Sequence, residues 1–304
     1  MNKVVIIGCG NVGMSYAYAL VNQKNSVEEI VLIDNNQTKA EGEAMDLNHS
    51  LPFSPNHLTI KSGAYQDCND AKIIVICAGA KQLPGETRLD LITKNKEIFQ
   101  NIIANINNTN FNGIIIVASN PVDIMSYITY KNSKLKPSQV IGTGTTLDTS
   151  RLRYIISKKL TINPKNIHVY VLGEHGDSEF IAWTSGLIGT SKISEFLTLE
   201  EMDQITKEVK DSAYQIIEKK GNTSYGIGAC LMRITKAILD NEDAIITTSV
   251  YDYHNDIYIS KASIINKDGV RGYLNTNLSE SEKAKEEVSI QIIKNVISNN
   301  VNNL

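Results

Sequence analysis

Val4-Val5-Ile6-Ile7-Gly8-Cys9-Gly10-Asn11-Val12-Gly13 is the stretch that decides the fold. Four consecutive apolar, β-branched residues read as a strand covered on both faces. The spacing GxGxxG follows at once and opens a helical pattern over residues 14–21. In that context each glycine has its own reason. Gly8 allows a tight turn, Gly10 lets the main chain approach a pyrophosphate, and Gly13 lets helix and strand pack closely. The free amides and dipole of the helix start, at Asn11 and Val12, favour phosphate. Asp34 ends a second apolar run, Ile30-Val31-Leu32-Ile33. A carboxylate there accepts hydrogen bonds from ribose hydroxyls and repels the extra phosphate of NADP. The expected cofactor is NAD.

Further apolar runs, Ile73-Ile74-Val75-Ile76-Cys77 and Ile114-Ile115-Ile116-Val117, flank a long helical pattern over 89–107. Strands alternating with helices predict a Rossmann-type doubly wound parallel sheet, an α/β fold. Past the turn-rich Gly142-Thr143-Gly144-Thr145 the pattern changes. A helix is expected from about Asp148, a strand over 168–172, and helices over 199–219, 228–239 and 279–298. Alternating segments around Ile257-Tyr258-Ile259 and Ala262-Ser263-Ile264-Ile265 suggest antiparallel strands. The expected division is a cofactor domain over 1–143 and an α+β substrate domain over 144–304. Asn-rich patches over 105–112 and 299–303 read as loops or frayed ends.

Composition narrows the function. Thirty Lys and Arg against thirty-three Asp and Glu leave a net charge of −3, with no long basic run, which argues against a nucleic-acid binder. With 42% apolar residues the chain can build a core. No uninterrupted apolar stretch is long enough for a membrane span. The N-terminal apolar run is broken by Gly8, Gly10 and Gly13, so it reads as a strand and not as a signal peptide. Cys9, Cys68, Cys77 and Cys230 form no CxxC pair, as expected of reduced core residues in a cytoplasmic protein. No metal site is expected.

Gly173-Glu174-His175-Gly176-Asp177 places a glycine-flanked histidine at the end of an apolar run, where it can carry a proton in a cleft. Asp148 and Arg151 stand three apart on the expected helix and share a face. A buried Asp148 beside His175 would orient the ring and favour its charged form. Arg151 can hold a carboxylate with two parallel hydrogen bonds. Lys81-Gln82-Leu83-Pro84-Gly85-Glu86-Thr87-Arg88 reads as a loop at the carboxyl edge of the sheet, able to close Arg88 over a reacting carbonyl. Ser119-Asn120-Pro121 follows the next strand at the same edge, where Asn120 can bond both ligand and cofactor.

Taken in order, GCGNVG, the Asp34 strand end, QLPGETR, SNPVD, GTGTTLDTSRLR, GEHGD and the segment from Tyr225 to Ile238 resemble the lactate/malate dehydrogenase family, on the side of its bacterial L-lactate dehydrogenases. The resemblance spans essentially the whole chain. It implies a homotetramer that reduces pyruvate to L-lactate with NADH. It further implies His175 as proton donor and acceptor, Asp148 as its partner, Arg151 on the substrate carboxylate and Arg88 polarising the carbonyl. Asn120 would orient carbonyl and nicotinamide, and Thr235 would line the substrate's methyl end. At position 82 the family's malate enzymes carry an arginine for the second carboxylate of oxaloacetate. Neutral Gln82 therefore favours a monocarboxylate.

Arg153, about 200° around the helix from Arg151, cannot serve the same site. In relatives that respond to fructose 1,6-bisphosphate the residues matching Arg153 and His168 line an anion site between subunits, so this effector is expected too. Ser224 stands before Tyr225 where many relatives have a second aromatic residue. The competing readings are a malate or branched-chain 2-hydroxy-acid dehydrogenase, an NAD-dependent glycosidase and a non-catalytic NAD-binding protein. Gln82 opposes the malate enzyme, the match to QxPGETR the branched-chain enzyme, and the lack of a Cys ligand in GEHGD the glycosidase. The presence of His175, Asp148 and Arg88 together opposes a protein without catalysis.

Overall fold

A computed structural model of the chain describes residues 1–80 and 88–300, with the side chains of residues 88–90 left out. The first half runs β1 (Lys3–Ile7), α1 (Asn11–Asn22), β2 (Glu29–Ile33), α2 (Gln37–Ser50), β3 (Thr59–Ser62), β4 (Ile73–Ile76), α3 (Arg88–Asn107), β5 (Ile114–Val117), α4 (Val122–Asn132) and β6 (Val140–Gly142). Next come α5 (Thr146–Leu160) and five two-residue strands: β7 (Ile167–His168), β8 (Val171–Leu172), β9 (Phe180–Ile181), β10 (Leu187–Ile188) and β11 (Ser191–Lys192). The chain ends with α6 (Leu199–Lys220), α7 (Tyr225–Leu239), β12 (Ala244–Asp252), β13 (Ile257–Asn266), β14 (Gly269–Tyr273) and α8 (Glu280–Asn300).

Six strands pair in parallel in the order β3-β2-β1-β4-β5-β6. This is the doubly wound arrangement of a dinucleotide-binding sheet, and the order reverses between β1 and β4. The continuous apolar runs follow from cover on both faces. Val5 and Ile7 point into a core shared with Phe99, Ile103 and Met125 from α3 and α4. Val4 and Ile6 point the other way, against Tyr16 and Leu20 of α1 and Leu231 of α7.

The C-terminal half does not build its large sheet separately. The antiparallel set β12-β13-β14 joins the edge of the parallel sheet through Ser249 of β12 opposite Gly142 of β6, giving nine strands in one sheet. The single strand expected over 168–172 is divided. Ile167–His168 pairs with β10 and Val171–Leu172 with β9, so the two ends of the run serve different small sheets. No helix among the described residues is long and apolar enough to cross a membrane. Burial pushes the thiols of Cys9, Cys68, Cys77 and Cys230 up to about 12, which leaves them protonated and unreactive.

Candidate active site

At the carboxyl ends of β1, β2 and β4 lies a cavity of about 650 Å³, lined by Gly8, Gly10, Asp34, Lys39, Ala78 and Ile98 among others. Its floor is the glycine turn. Gly8 has φ +104°, and a Cβ there would sit 2.5 Å from the Ala78 nitrogen. A Cβ at Gly13 would be 2.1 Å from the Gly8 carbonyl oxygen, so that position fixes helix against strand. A Cβ at Gly10 would instead meet open space, on the cavity side where a phosphate has room to approach. The Asp34 carboxylate accepts from the Cys9 N–H at 2.7 Å and the Asn36 N–H at 2.9 Å. A carboxylate has about four acceptor directions, so two are left for ligand hydroxyls. Neither Asn11 nor Val12 lines this cavity. The Val12 side chain packs on the sheet, and Asn11 lines a different groove with Tyr18 and Tyr225. These residues fit a dinucleotide.

A second cavity of about 450 Å³ brings together Asn120, Asp148, Arg151 and His175. Two threonines explain how. Thr145, at the start of α5, donates through Oγ1 to the Val171 carbonyl at 2.6 Å, and Thr149 Oγ1 accepts from the Val171 N–H at 3.0 Å. The first turn of α5 is thereby clamped to β8, and Asp148 faces the loop that carries His175. Asp148 is buried, with Oδ2 at 2.8 Å from His175 Nδ1 and Oδ1 accepting from Arg151 Nη1 at 2.8 Å. One carboxylate thus holds both the ring and the guanidinium. Burial alone would lower the His175 pKa. The Asp148 charge and hydrogen bond, helped by Glu179 and Asp123, reverse this and push it up to about 9. Burial likewise opposes ionisation of Asp148, but His175 and Arg151 hold its carboxyl below the ordinary range.

The two cavities adjoin. Ser119 Oγ donates to the Ala78 carbonyl at 2.5 Å. The Asn95 side chain accepts from the Ala80 N–H and donates to the Asn120 carbonyl, both at 2.8 Å. The wall of the first cavity is therefore tied to the segment carrying Asn120. Sequence reading overlooked Asn95. It also overlooked Asp123, a buried carboxyl that accepts from the His175 N–H at 2.8 Å and from Ser249 Oγ at 2.5 Å. Burial outweighs these hydrogen bonds and pushes Asp123 up to about 6.

A family model described as the lactate/malate dehydrogenase NAD-binding domain matches residues 2–142, and one for the family's α/β C-terminal domain matches 145–304. The chain belongs to the lactate/malate dehydrogenase family. It is 47% identical to L-lactate dehydrogenase 2 of Bacillus cereus over 98% of both chains. It is 46% identical to L-lactate dehydrogenase 1 of Bacillus anthracis with the same coverage. Among solved structures, a lactate dehydrogenase from a Medee basin deep-sea metagenome library superposes with a TM-score of 0.95 at 47% identity over 98% of each chain. The ligand-bound minor L-lactate dehydrogenase of Enterococcus mundtii gives 0.96 at 42% identity, again over 98% of each.

Membership of the lactate/malate dehydrogenase family does not rescue every expected residue. Thr235 is a correction. It is 0% exposed and its Oγ1 lies 2.6 Å from the Tyr16 hydroxyl, inside the contact between α1 and α7. It does not line the cavity of His175, and a hydroxyl bonded inside a helix contact cannot meet the methyl end of a substrate. Gln82 lies outside the described residues, as does the Arg88 side chain, although Arg88 opens α3. Arg153 stands apart from Arg151 as expected, with its guanidinium 5.1 Å over the Tyr170 ring and a buried Nε without a hydrogen-bond partner. His168 is exposed, and residues 167–171 alternate buried and outward, so His168 and Tyr170 share the outer face.

Proposed function

We propose that this chain catalyses the reversible reduction of pyruvate to L-lactate by NADH. The observation that carries the reading is the bridging Asp148 carboxylate, which presents a charged imidazole and a guanidinium to one cavity beside a dinucleotide cradle. Gly8, Gly10, Asp34 and the first-turn amides of α1 hold the cofactor, which supplies the hydride when bound. Arg151 takes the substrate carboxylate with the donors that Asp148 leaves free. His175, charged at neutral pH, donates its proton to the ketone oxygen, and Asp148 stabilises the ring throughout. In the oxidative direction the neutral ring accepts that proton. Arg88 polarises the carbonyl, Asn120 orients it, and Gln82 leaves a second carboxylate without a partner. Residues 1–143 supply the cofactor half and 144–304 the proton-transfer half.

The finer parts of the proposal are assembly as a homotetramer in the cytoplasm and activation by fructose 1,6-bisphosphate at Arg153 and His168. The Arg153 guanidinium, seated over Tyr170 on the outer face that also carries His168, supports the latter, because a guanidinium and an imidazole together suit a phosphate. Steady-state loss of NADH absorbance tests the whole reading, with pyruvate or oxaloacetate and with or without the bisphosphate. The expected result is a kcat/KM for pyruvate at least about tenfold above that for oxaloacetate, with a lower half-saturating pyruvate when the effector is present. Preference for oxaloacetate would refute the substrate, and an unchanged half-saturation would remove the effector.

A further inference from the structure

His175 faces a second carboxyl group that the chemistry above leaves unused. Glu179 stands just before β9 and is only 7% exposed. The chain folds back between Gly176 and Glu179, where the Glu179 N–H donates to the Gly176 carbonyl at 3.2 Å. That turn brings one oxygen of Glu179, one oxygen of Asp148 and a ring nitrogen of His175 within 4.8 Å of one another. All three side chains line the same cavity.

The charges around Glu179 come from three directions. Asp148 and Arg151 face it from α5, Lys210 and Tyr214 line the cavity from α6, and His175 and Asp177 belong to its own loop. Asp123 on α4 touches His175 through the main chain. Like charges this close cannot all ionise freely in a site with little water. Burial, and after it the Asp148 charge, push the Glu179 carboxyl up to about 8, against the pull of His175, Lys210 and Arg151. Glu179 in turn is one of the groups that raise His175.

We propose that Glu179 is a positioning residue for proton transfer: its carboxyl group titrates together with the His175 ring, so the pair sets the pH range over which the site gives or takes a proton. The inference rests on the 2-keto-acid reductase reading for its use, although not for its existence. Near neutrality Glu179 keeps its proton and adds no further negative charge to the cavity that takes pyruvate. As pH rises, ionisation of Glu179 strengthens the hold of His175 on its own proton. Reduction then persists to higher pH than His175 and Asp148 alone would allow, and lactate oxidation begins correspondingly later.

The test is Glu179→Gln in the full-length chain, with Glu179→Asp as the charge-keeping control. In Glu179→Gln the falling limb of pyruvate reduction and the rising limb of lactate oxidation are expected to move together to lower pH, by about half a unit or more. The His175 ring titration followed by NMR should move the same way, while Glu179→Asp stays near the wild type. Limbs and ring titration that stay in place in Glu179→Gln would overturn the proposal. Should that variant fail to fold, the wild-type protein serves. An infrared band of a protonated carboxyl that disappears with a midpoint near 8 supports the coupling, and its absence at pH 7 overturns it. The NMR and infrared readings need no turnover, so a protein that fails to reduce pyruvate refutes the function without deciding this point.

Discussion

Asp148→Asn is expected to lower kcat/KM for pyruvate by about 10²- to 10⁴-fold, the range associated with losing a positioned proton donor. Two effects combine. The Asp148 charge is the main influence holding the His175 proton, so its loss lets burial pull the ring's pKa down and leaves less imidazolium at neutral pH. The same carboxylate also accepts from Arg151, so the amide that replaces it turns an NH₂ towards either the guanidinium or the ring. The reduction limb should therefore shift to lower pH and the KM for pyruvate should rise. NADH affinity, measured by fluorescence, should change little, because Asp148 does not line the dinucleotide cavity. Full pyruvate activity in this variant would remove the proton-transfer pair from the account.

Arg151→Lys should cost about 3 kcal/mol of transition-state binding, roughly a hundredfold in kcat/KM for pyruvate. The charge survives but the planar fork does not, and one ammonium cannot serve Asp148 and a substrate carboxylate with the same geometry. The loss should appear chiefly as a raised KM, since Arg151 grips a group that does not react. Inhibition by oxamate, a monocarboxylate resembling pyruvate, should weaken in parallel. Unchanged KM and oxamate inhibition would place the carboxylate elsewhere in the cavity.

The glycine turn and the four apolar strands were legible because burial on both faces leaves an uninterrupted pattern. His175, Asp148 and Arg151 were legible because helix spacing joins two of them and flanking glycines expose the third. Where tertiary contacts decide, legibility failed. Asp123 reaches His175 only through a main-chain N–H 52 residues away. Glu179 lies four residues from His175, but its approach depends on the fold of the intervening turn. Helix α2 is polar, burying only Ala40, Ala44 and Leu47, and so offers little periodicity. Thr235 carries the opposite lesson. It continues the Gly228, Leu231, Ile238 spacing on the buried face of α7, a stripe that marks a core position and not a substrate contact.

His175, charged through Asp148, is proposed to give the proton in keto-acid reduction. Single-turnover oxidation of enzyme-bound NADH by pyruvate, followed from pH 6 to 10.5 on the unmodified chain, tests it most directly. The rate constant is expected to hold steady through neutrality and then fall with a midpoint near 9. A rate independent of pH, or a midpoint at the ordinary histidine value of 6.5, would contradict it.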